Sequence, residues 1–493
     1  MSDVESEVPR DELSIDRKSR FYLPYHGLQF RNAQARIFDF HEVIVPFDDQ
    51  RTIFEAQRCI QCPDAPCMIA CPVHNDIPSA CWFAEHGDFV LAARVFHKTS
   101  TIPDICGRVC PQEQLCQGSC VLNATHEPVL IGAIEAFVVD YEAKTGNYQT
   151  PELAPPSGKK VAIVGGGPAG MAAAERLVIA GHAVTIFDSN PNPGGLLLYG
   201  IPGFKLAAER VHKKIDFLIS LGVTFVQNTK IGSEKTVDSL LEDGFDSVFI
   251  SVGAGIDAPL NAPGEDLPRV YKGTDFLIRA NVEPGLLPKD KEGLPEVGEK
   301  ALIIGGGDTA SDCVRTAKRL GAKEVYCVYR RSELEMPGVL KDRELAKEEG
   351  VQYLFLTQPI QFLADEEGNL NAVECIKMVL GEPDESGRRR PIPEPKSNFI
   401  IETDCVITAL GYYPHPDIGD TTPGLKTHKW GLIIVNPETM ATSREGIFAG
   451  GDAVNGPDLV VTAVADAINA AHAIDRYLKT PEDKRDWEKW FKG

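Results

Sequence analysis

A strand, a glycine-rich turn and a helix occur twice in this chain, and that duplication restricts the fold more than any other feature of the sequence. The first copy reads VAIVGGG, PAGMAAAERLVIAG, AVTIFD; the second reads ALIIGGG, DTASDCVRTAKRLGA, EVYCVYRR. Short apolar β-branched runs alternating with helical segments are the pattern of βαβ units on a parallel sheet. In the first copy Gly165, Gly167 and Gly170 form G-x-G-x-x-G directly after the strand and at the start of an alanine-rich helix. Such glycines permit the tight turn and let backbone N–H groups at the helix N-terminus reach a pyrophosphate, the third allowing close helix–strand packing. Asp188 ends the following strand, where a carboxylate accepts a ribose 2′-hydroxyl. In the second copy Gly305, Gly307 and Ala310 form the permitted G-x-G-x-x-A variant, with Asp308 and Thr309 opening the helix. Arg330 and Arg331 stand where the first copy has its acid, so this site is expected to take the 2′-phosphate of NADP(H), tempered by Glu333 and Glu335.

Two nucleotide sites in one chain imply a division of labour between a resident flavin and a diffusible nicotinamide. The C-terminal stretch GIFAGGDAVNGPDLVV, with Gly451 and Asp452 between a strand and a helix, resembles the C-terminal FAD signature of the pyridine-nucleotide disulfide oxidoreductase superfamily. That resemblance implies that the first turn holds FAD and the second NADP(H). SVGAG (251–255) and ITALGYYP (407–414) resemble the hinges at which an NADP domain leaves and re-enters an FAD domain. GGLLLYGIPGFKL (194–206), with Gly195 and Leu196, is expected to approach the flavin by its glycine backbone.

The cysteines carry the other sharp signal. Nine of the 13 lie between Cys59 and Cys120. One block is Cys59-x2-Cys62-x4-Cys67-x3-Cys71-Pro72 and the other is Cys106-x3-Cys110-Pro111-x4-Cys116-x3-Cys120. Crowded runs closed by Cys-Pro resemble two-cluster ferredoxins, in which the last cysteine of a run crosses to the other cluster; by that logic Cys71 leaves its block. Zinc is the main rival, but its sites usually come as separated C-x2-4-C knuckles; plain buried thiols are the other alternative. Helix-like stretches around the blocks suggest a small helical domain, in which Cys81 is read as core and His74 and His97 are assigned nothing. The proline-rich TPELAPPSGKK reads as a linker to the first βαβ unit, and residues 1 to about 50 as a partly ordered arm.

Composition sets outer bounds. At about 150 residues per domain, 493 residues suggest three domains. A formal charge of −21 repels phosphate backbones, so nucleic acid is not expected as a partner. No run of 18 apolar residues occurs, so no membrane span is expected, and the acidic N-terminus is unlike a signal peptide. The expected compartment is the cytoplasm, where clustered thiols are metal ligands more often than cystines.

RCIQC, CGRVCP, VAIVGGGPAG, GGLLLYGIPGFKL, IGGGDTASDCVRTAKRLGA, YRRSELEMPG and FAGGD together resemble the glutamate synthase small (β) subunit family. Its relatives include the N-terminal part of dihydropyrimidine dehydrogenase, the large subunit of NADH-dependent ferredoxin:NADP oxidoreductase, and sulfide dehydrogenase. The resemblance implies an α/β chain with two Rossmann-like domains, the NADP domain inserted in the FAD domain, behind a helical iron–sulfur domain. The expected divisions are 1–150 for two 4Fe–4S clusters, 158–285 and 411–493 for FAD, and 286–410 for NADP(H). If Cys120 crosses back as Cys71 crosses over, one cluster takes Cys59, Cys62, Cys67 and Cys120, and the other has Cys71, Cys110, Cys116 and one vacancy. Cys106 is the plain candidate for that vacancy; the resemblance implies Glu135. The implied function is an NADPH-oxidising subunit that passes electrons through FAD and two clusters to a larger catalytic subunit or a ferredoxin, with no protein acid or base required. The alternatives are a self-sufficient ferredoxin:NADP or sulfide/polysulfide oxidoreductase and a non-catalytic scaffold.

Overall fold

A computed structural model describes residues 15–288 and 290–492; the acidic N-terminal stretch read above for export signals lies outside them. The duplication in sequence becomes two five-stranded parallel sheets of the same design. In the first the order is Ile447–Ala449, Ser247–Ile250, Lys160–Val164, Ala183–Phe187, Thr224–Val226. In the second it is Val270–Lys272, Cys405–Thr408, Lys300–Ile304, Glu324–Val328, Gln352–Leu354. Each glycine-turn strand is the middle strand of its sheet, buried on both faces, which is why VAIV and ALII read as unbroken apolar runs. The alanines of the Pro168–Ile179 helix and of the Val460–Lys479 helix are buried together, small side chains that let the two helices approach closely over the first sheet.

The second sheet begins earlier than the sequence suggests. Val270–Lys272 pairs in parallel with Cys405–Thr408, and the helix Gly273–Asn281 follows it, ahead of the expected division at residue 286. A three-residue strand carries no usable periodicity, so only its pairing reveals it. The chain passes between the sheets at two places, and there Ile256–Asp257 pairs antiparallel with Tyr412–Tyr413, forming one two-stranded ribbon. The first directly follows one of the segments read as hinges, and the second lies within the other. Within the second domain an antiparallel insertion runs Thr357–Ala364, Leu370–Pro383, Arg389–Pro393, with Phe399–Glu402 on the middle strand.

The cysteine-rich part is helical, as its periodicity suggests. Helices Asp49–Gln57, Ile77–Glu85, Phe89–Thr99 and Ile131–Thr145 enclose a core that includes Phe89, Phe96, Ile134 and Val138. Asp48 caps the first through Arg51 N (2.8 Å), satisfying a free donor at the helix start.

The arm from residue 15 onward is tied down along its length. Arg17 donates to the carbonyls of Ile60 and Gln61, and Arg20 donates to the Cys59 carbonyl and to Glu85. Glu42 accepts from Arg108 (3.2 Å) of the helical domain and from Arg210 (2.8 Å) beside the first sheet, and Asp140 accepts from the same two arginines. Arg36 is 1% exposed and donates Nε to Glu349 (2.7 Å) of the second domain, where Arg315 and Arg319 grip the same carboxylate. Phe204 closes the knot, its ring centroid 4.5 Å from Arg315 and 4.0 Å from Arg319.

Burial acts to raise the Glu349 pKa, but Arg315 and Arg319 outweigh it and hold the carboxyl at about 2. A depressed folded-state pKa contributes stability above the ordinary value of 4.5 and loses it as pH falls toward about 2. Glu349→Gln strips the one buried counter-charge that, among the described residues, all three arginines share, and is expected to cost about 3 to 5 kcal/mol at neutral pH. Denaturant titration with limited proteolysis across residues 31–47 measures it, and an unchanged midpoint and an uncut arm would contradict the assignment.

Candidate functional site

Three stretches far apart in sequence line one cavity of about 510 Å³: Gly165–Ala169, Gly195–Leu197 and Gly450–Asp452. The expected flavin residues are thus brought together. Gly165 has φ +102° and a Cβ there would stand 2.4 Å from the Ser251 carbonyl oxygen; a Cβ on Gly170 would stand 1.9 Å from the Gly165 oxygen. These two serve the turn and the helix packing. Gly167 has nothing nearer to its Cβ position than Gly195 Cα at 3.8 Å, so bare backbone faces the cavity from both sides. Asp188 is buried; its Oδ2 accepts from Gly166 N and its Oδ1 from Asn190 N, both at 2.8 Å. Burial raises its pKa against those bonds. Asp452 follows Gly451 (φ +67°) and is pushed up to about 6 by burial, with Asp458 and Asp466 adding to the shift. A cavity of this size with exposed peptide backbone at a helix N-terminus and carboxylates at its rim suits a dinucleotide flavin.

The second half of GGLLLYGIPGFKL goes elsewhere. Phe204 lies under the arginine knot, and Lys205 Nζ bridges Asp312 (2.6 Å) and Asp342 (2.7 Å) of the second domain. The motif therefore joins the two dinucleotide domains as well as lining the first cavity.

The second turn repeats the geometry of the first. A Cβ on Gly305 would stand 2.2 Å from the Ala409 oxygen, Gly307 opens on free space, and Ala310 is fully buried. Asp308 Oδ1 accepts from Val339 N (2.8 Å), and the Thr309 hydroxyl shares a hydrogen bond with Tyr412 (3.0 Å) on the ribbon. Arg330 is exposed beyond the next strand. Arg331, expected to share its role, is 6% exposed and turned onto the antiparallel insertion, Nη2 to Asp384 (2.7 Å) and Nε to the Arg389 carbonyl (2.8 Å). The partner lies more than 50 residues along the chain, so adjacency to Arg330 gave no warning of it.

A second cavity of about 390 Å³ lies where the three domains meet. Its walls include Cys110 and Gln112 from the helical domain, Asp308 and Lys341 from the second dinucleotide domain, and Asp458, Leu459 and Val460, which also line the first cavity.

The cysteines fall into two groups. Cys59, Cys62, Cys67 and Cys120, with Cys81, line one small apolar pocket. Cys71 stands within electrostatic reach of Glu135 and Cys106, and Cys116 within reach of Glu135 and Cys71; Cys110 is hydrogen-bonded to Cys106. Cys120 thus lies beside Cys59, Cys62 and Cys67, while Cys71 lies beside Glu135 and Cys106. Burial pushes the Cys62 and Cys71 thiols up to about 11. Glu135, 6% exposed, is pushed up to about 8 by burial and Asp104, and accepts from Asn75 Nδ2 (3.2 Å). Asn75, Arg17 and Arg20 support these loops without any motif to announce them. The thiols are grouped but not drawn onto one point: among the described residues no three His, Cys, Asp or Glu side chains form a ready single-ion site.

Comparison with known proteins separates the cysteine-rich part of the chain from the part that holds the two parallel sheets. Residues 36–147 match the family described as dihydropyrimidine dehydrogenase domain II, 4Fe-4S cluster, and residues 159–467, more than half of the chain, match pyridine nucleotide-disulphide oxidoreductase. The chain belongs to the pyridine nucleotide-disulphide oxidoreductase family. This oxidoreductase is 39% identical over 452 residues to the glutamate synthase (NADPH) small chain of Escherichia coli strain K12, covering 90% of this chain and 95% of that one. It is 40% identical over 457 residues to the putative oxidoreductase AegA of the same organism, covering 90% and 68%. It is 37% identical over 453 residues to the NADP(+)-dependent formate dehydrogenase subunit beta of Moorella thermoacetica, covering 86% and 62%. In fold it resembles FprA of Mycobacterium tuberculosis in complex with NADPH, with a TM-score of 0.55 at 21% identity over 68% of this chain and 90% of that one. The oxidoreductase is NADPH-dependent and uses FAD and 4Fe–4S clusters, in the two-Rossmann architecture that the glycine turns imply.

In this oxidoreductase, valine at position 167 fills the open backbone face of the first turn. Gly167→Val is expected to purify with most of its FAD absorbance lost and its iron content unchanged. A flavin-replete Gly167→Val protein would place the flavin elsewhere.

Proposed function

We propose that this chain is the NADPH-oxidising, electron-delivering subunit of a larger assembly, passing electrons by way of FAD and two 4Fe–4S clusters to a partner chain or a ferredoxin. The observation that carries this reading is the shared edge Asp458–Leu459–Val460: it borders the cavity of the first glycine turn on one side and, on the other, a cavity walled by Cys110 and by Asp308 of the second turn. In this reading the flavin, the nicotinamide and the cluster that includes Cys110 converge on one helix start. Bound FAD accepts electrons in pairs and releases them singly, which suits one-electron clusters.

The residues of the chain bind and orient. The Gly165–Gly170 turn with Gly195, Asp188 and Asp452 holds the flavin, and the Gly305–Ala310 turn with Asp308, Thr309 and Arg330 holds the nicotinamide dinucleotide. Leu459 and Val460 supply apolar wall at the junction, keeping water from it. We assign Cys59, Cys62, Cys67 and Cys120 to one cluster, and Cys71, Cys110, Cys116 and Glu135 to the other, with Cys106 structural. We also place the flavin domain at about 158–255 and 414–492 and the nicotinamide domain between the two strands of the ribbon. The role of subunit is supported by relatives that are themselves named small chain or subunit beta. Among the described residues no helix is long and apolar enough to cross a membrane, and cytoplasmic NADPH is the donor in this reading.

Anaerobic isolation from the native source, with identification of co-purifying chains, tests the subunit role; high turnover of the isolated chain with ferredoxin or polysulfide would favour the self-sufficient alternative instead. Glu135→Ala and Cys106→Ala, each assayed for iron and by EPR after reduction, test the eighth ligand. Glu135→Ala is expected to lose or alter one cluster signal and Cys106→Ala to keep both. The reverse pattern would make Cys106 the ligand.

A further inference from the structure

The antiparallel insertion of the nicotinamide domain carries a cluster of arginines that its own fold does not use up. Its Leu370–Pro383 and Arg389–Pro393 strands are joined by a tight turn in which Gly387 N donates to the Asp384 carbonyl (2.9 Å) and Asp384 N to the Arg388 carbonyl (2.8 Å). Asp384 has a double part. Its Oδ1 accepts from Ser386 N (2.9 Å), shaping the turn, while its Oδ2 accepts from Arg331 (2.7 Å), fastening the turn to the end of the Glu324–Val328 strand. Arg331 Nε on the Arg389 carbonyl (2.8 Å) makes the attachment two-pronged, and Arg389 itself is spent on the Leu380 and Gly381 carbonyls.

Arg330 and Arg388 are left over. Among the described residues neither forms an ion pair with a carboxylate, and the side-chain bond of Arg388 is Nε to the Ser386 hydroxyl (3.0 Å). They are also close enough to oppose each other: the Arg330 pKa is lowered by partial desolvation of its otherwise exposed side chain and by the charges of Arg331 and Arg388, against the opposite pull of Tyr329 and Asp384. Holding three like charges around one carboxylate, Asp384, is unfavourable, and such a set recurs in proteins where an anion completes it. The position supplies the anion. These arginines stand at the end of the strand after the second glycine turn, where the adenosine ribose of a bound dinucleotide is read.

We propose that the insertion is a specificity element of the nicotinamide site: Arg388, delivered by the 384–388 turn, pairs with Arg330 to hold the 2′-phosphate of NADP(H), and Arg331 is the tether that sets the turn in place. The inference rests on the NADPH reading above and adds to it a residue 58 positions beyond Arg330, with a changed role for Arg331.

Equilibrium binding to the intact FAD- and cluster-loaded protein tests it, with 2′,5′-ADP and 5′-AMP as probes, so that the reading needs no turnover. The wild-type protein is expected to prefer 2′,5′-ADP; equal affinities would overturn the NADPH reading itself. Given that preference, Arg388→Ala is expected to weaken 2′,5′-ADP binding by about tenfold or more and leave 5′-AMP unchanged, the scale of one charge-assisted hydrogen bond. Arg388→Lys is expected to recover part of the loss. Asp384→Asn, which removes no cation, is expected to weaken 2′,5′-ADP selectively by loosening the tether, and Lys377→Ala, a charge deletion elsewhere on the same insertion, to do nothing. An Arg388→Ala protein with wild-type affinity for 2′,5′-ADP overturns the proposal, as does a loss that Lys377→Ala matches.

Discussion

One carboxylate, Glu349, decides how the three domains face one another. It is almost wholly buried and accepts from Arg36, Arg315 and Arg319, with Phe204 stacked beneath the last two. Arg36 belongs to the N-terminal arm, Arg315 and Arg319 to the nicotinamide domain, and Phe204 to a segment that began at the flavin cavity. Taking such charges out of water is costly, and the attraction among them repays that cost only in one geometry. A knot of this kind adds less to stability than to uniqueness: an apolar patch would tolerate sliding, whereas a carboxylate shared by three forked donors does not. The cavity walled by Cys110, Asp308 and Val460 also has Phe204 and Arg315 in its lining, so its shape inherits that fixed arrangement.

Much of this was readable beforehand, and the reason is local. A G-x-G-x-x-G between an apolar strand and an alanine-rich helix needs nothing distant to be recognised, because the turn, the packing of Gly170 and the free backbone of Gly167 all arise within a few residues. The helical character of the cysteine-rich part was likewise legible from its local periodicity. What escaped was set by long-range contact. Val270–Lys272 joins the second sheet by pairing with a strand more than 130 residues away. Arg331 looks like a partner of Arg330 in sequence and becomes an anchor only because Asp384 arrives beside it. The arm reads as polar and irregular since its arginines and acids find their partners in three separate domains.

The two cysteine groups also show why composition alone leaves the eighth ligand open. Glu135 and Cys106 occupy the same neighbourhood, each buried and each facing the same thiols, one on the helix Ile131–Thr145 and the other on Pro103–Val109. A carboxylate buried at 6% exposure with a single amide donor has its solvation largely removed and little put in its place. Such a group is unlike a solvated helix residue.

The ribbon of Ile256–Asp257 and Tyr412–Tyr413 has a consequence of a different kind. Because the outgoing and returning strands are paired, the nicotinamide domain begins and ends at the same spot, and the first sheet is complete without it: its fifth strand simply arrives later in the chain. The domain is in this sense a cassette, held by a two-strand stem and by side-chain contacts at its flank. A rearrangement inside the cassette that keeps the stem paired leaves the five strands of the first sheet in place, and what it puts at stake is the set of side-chain contacts at the flank.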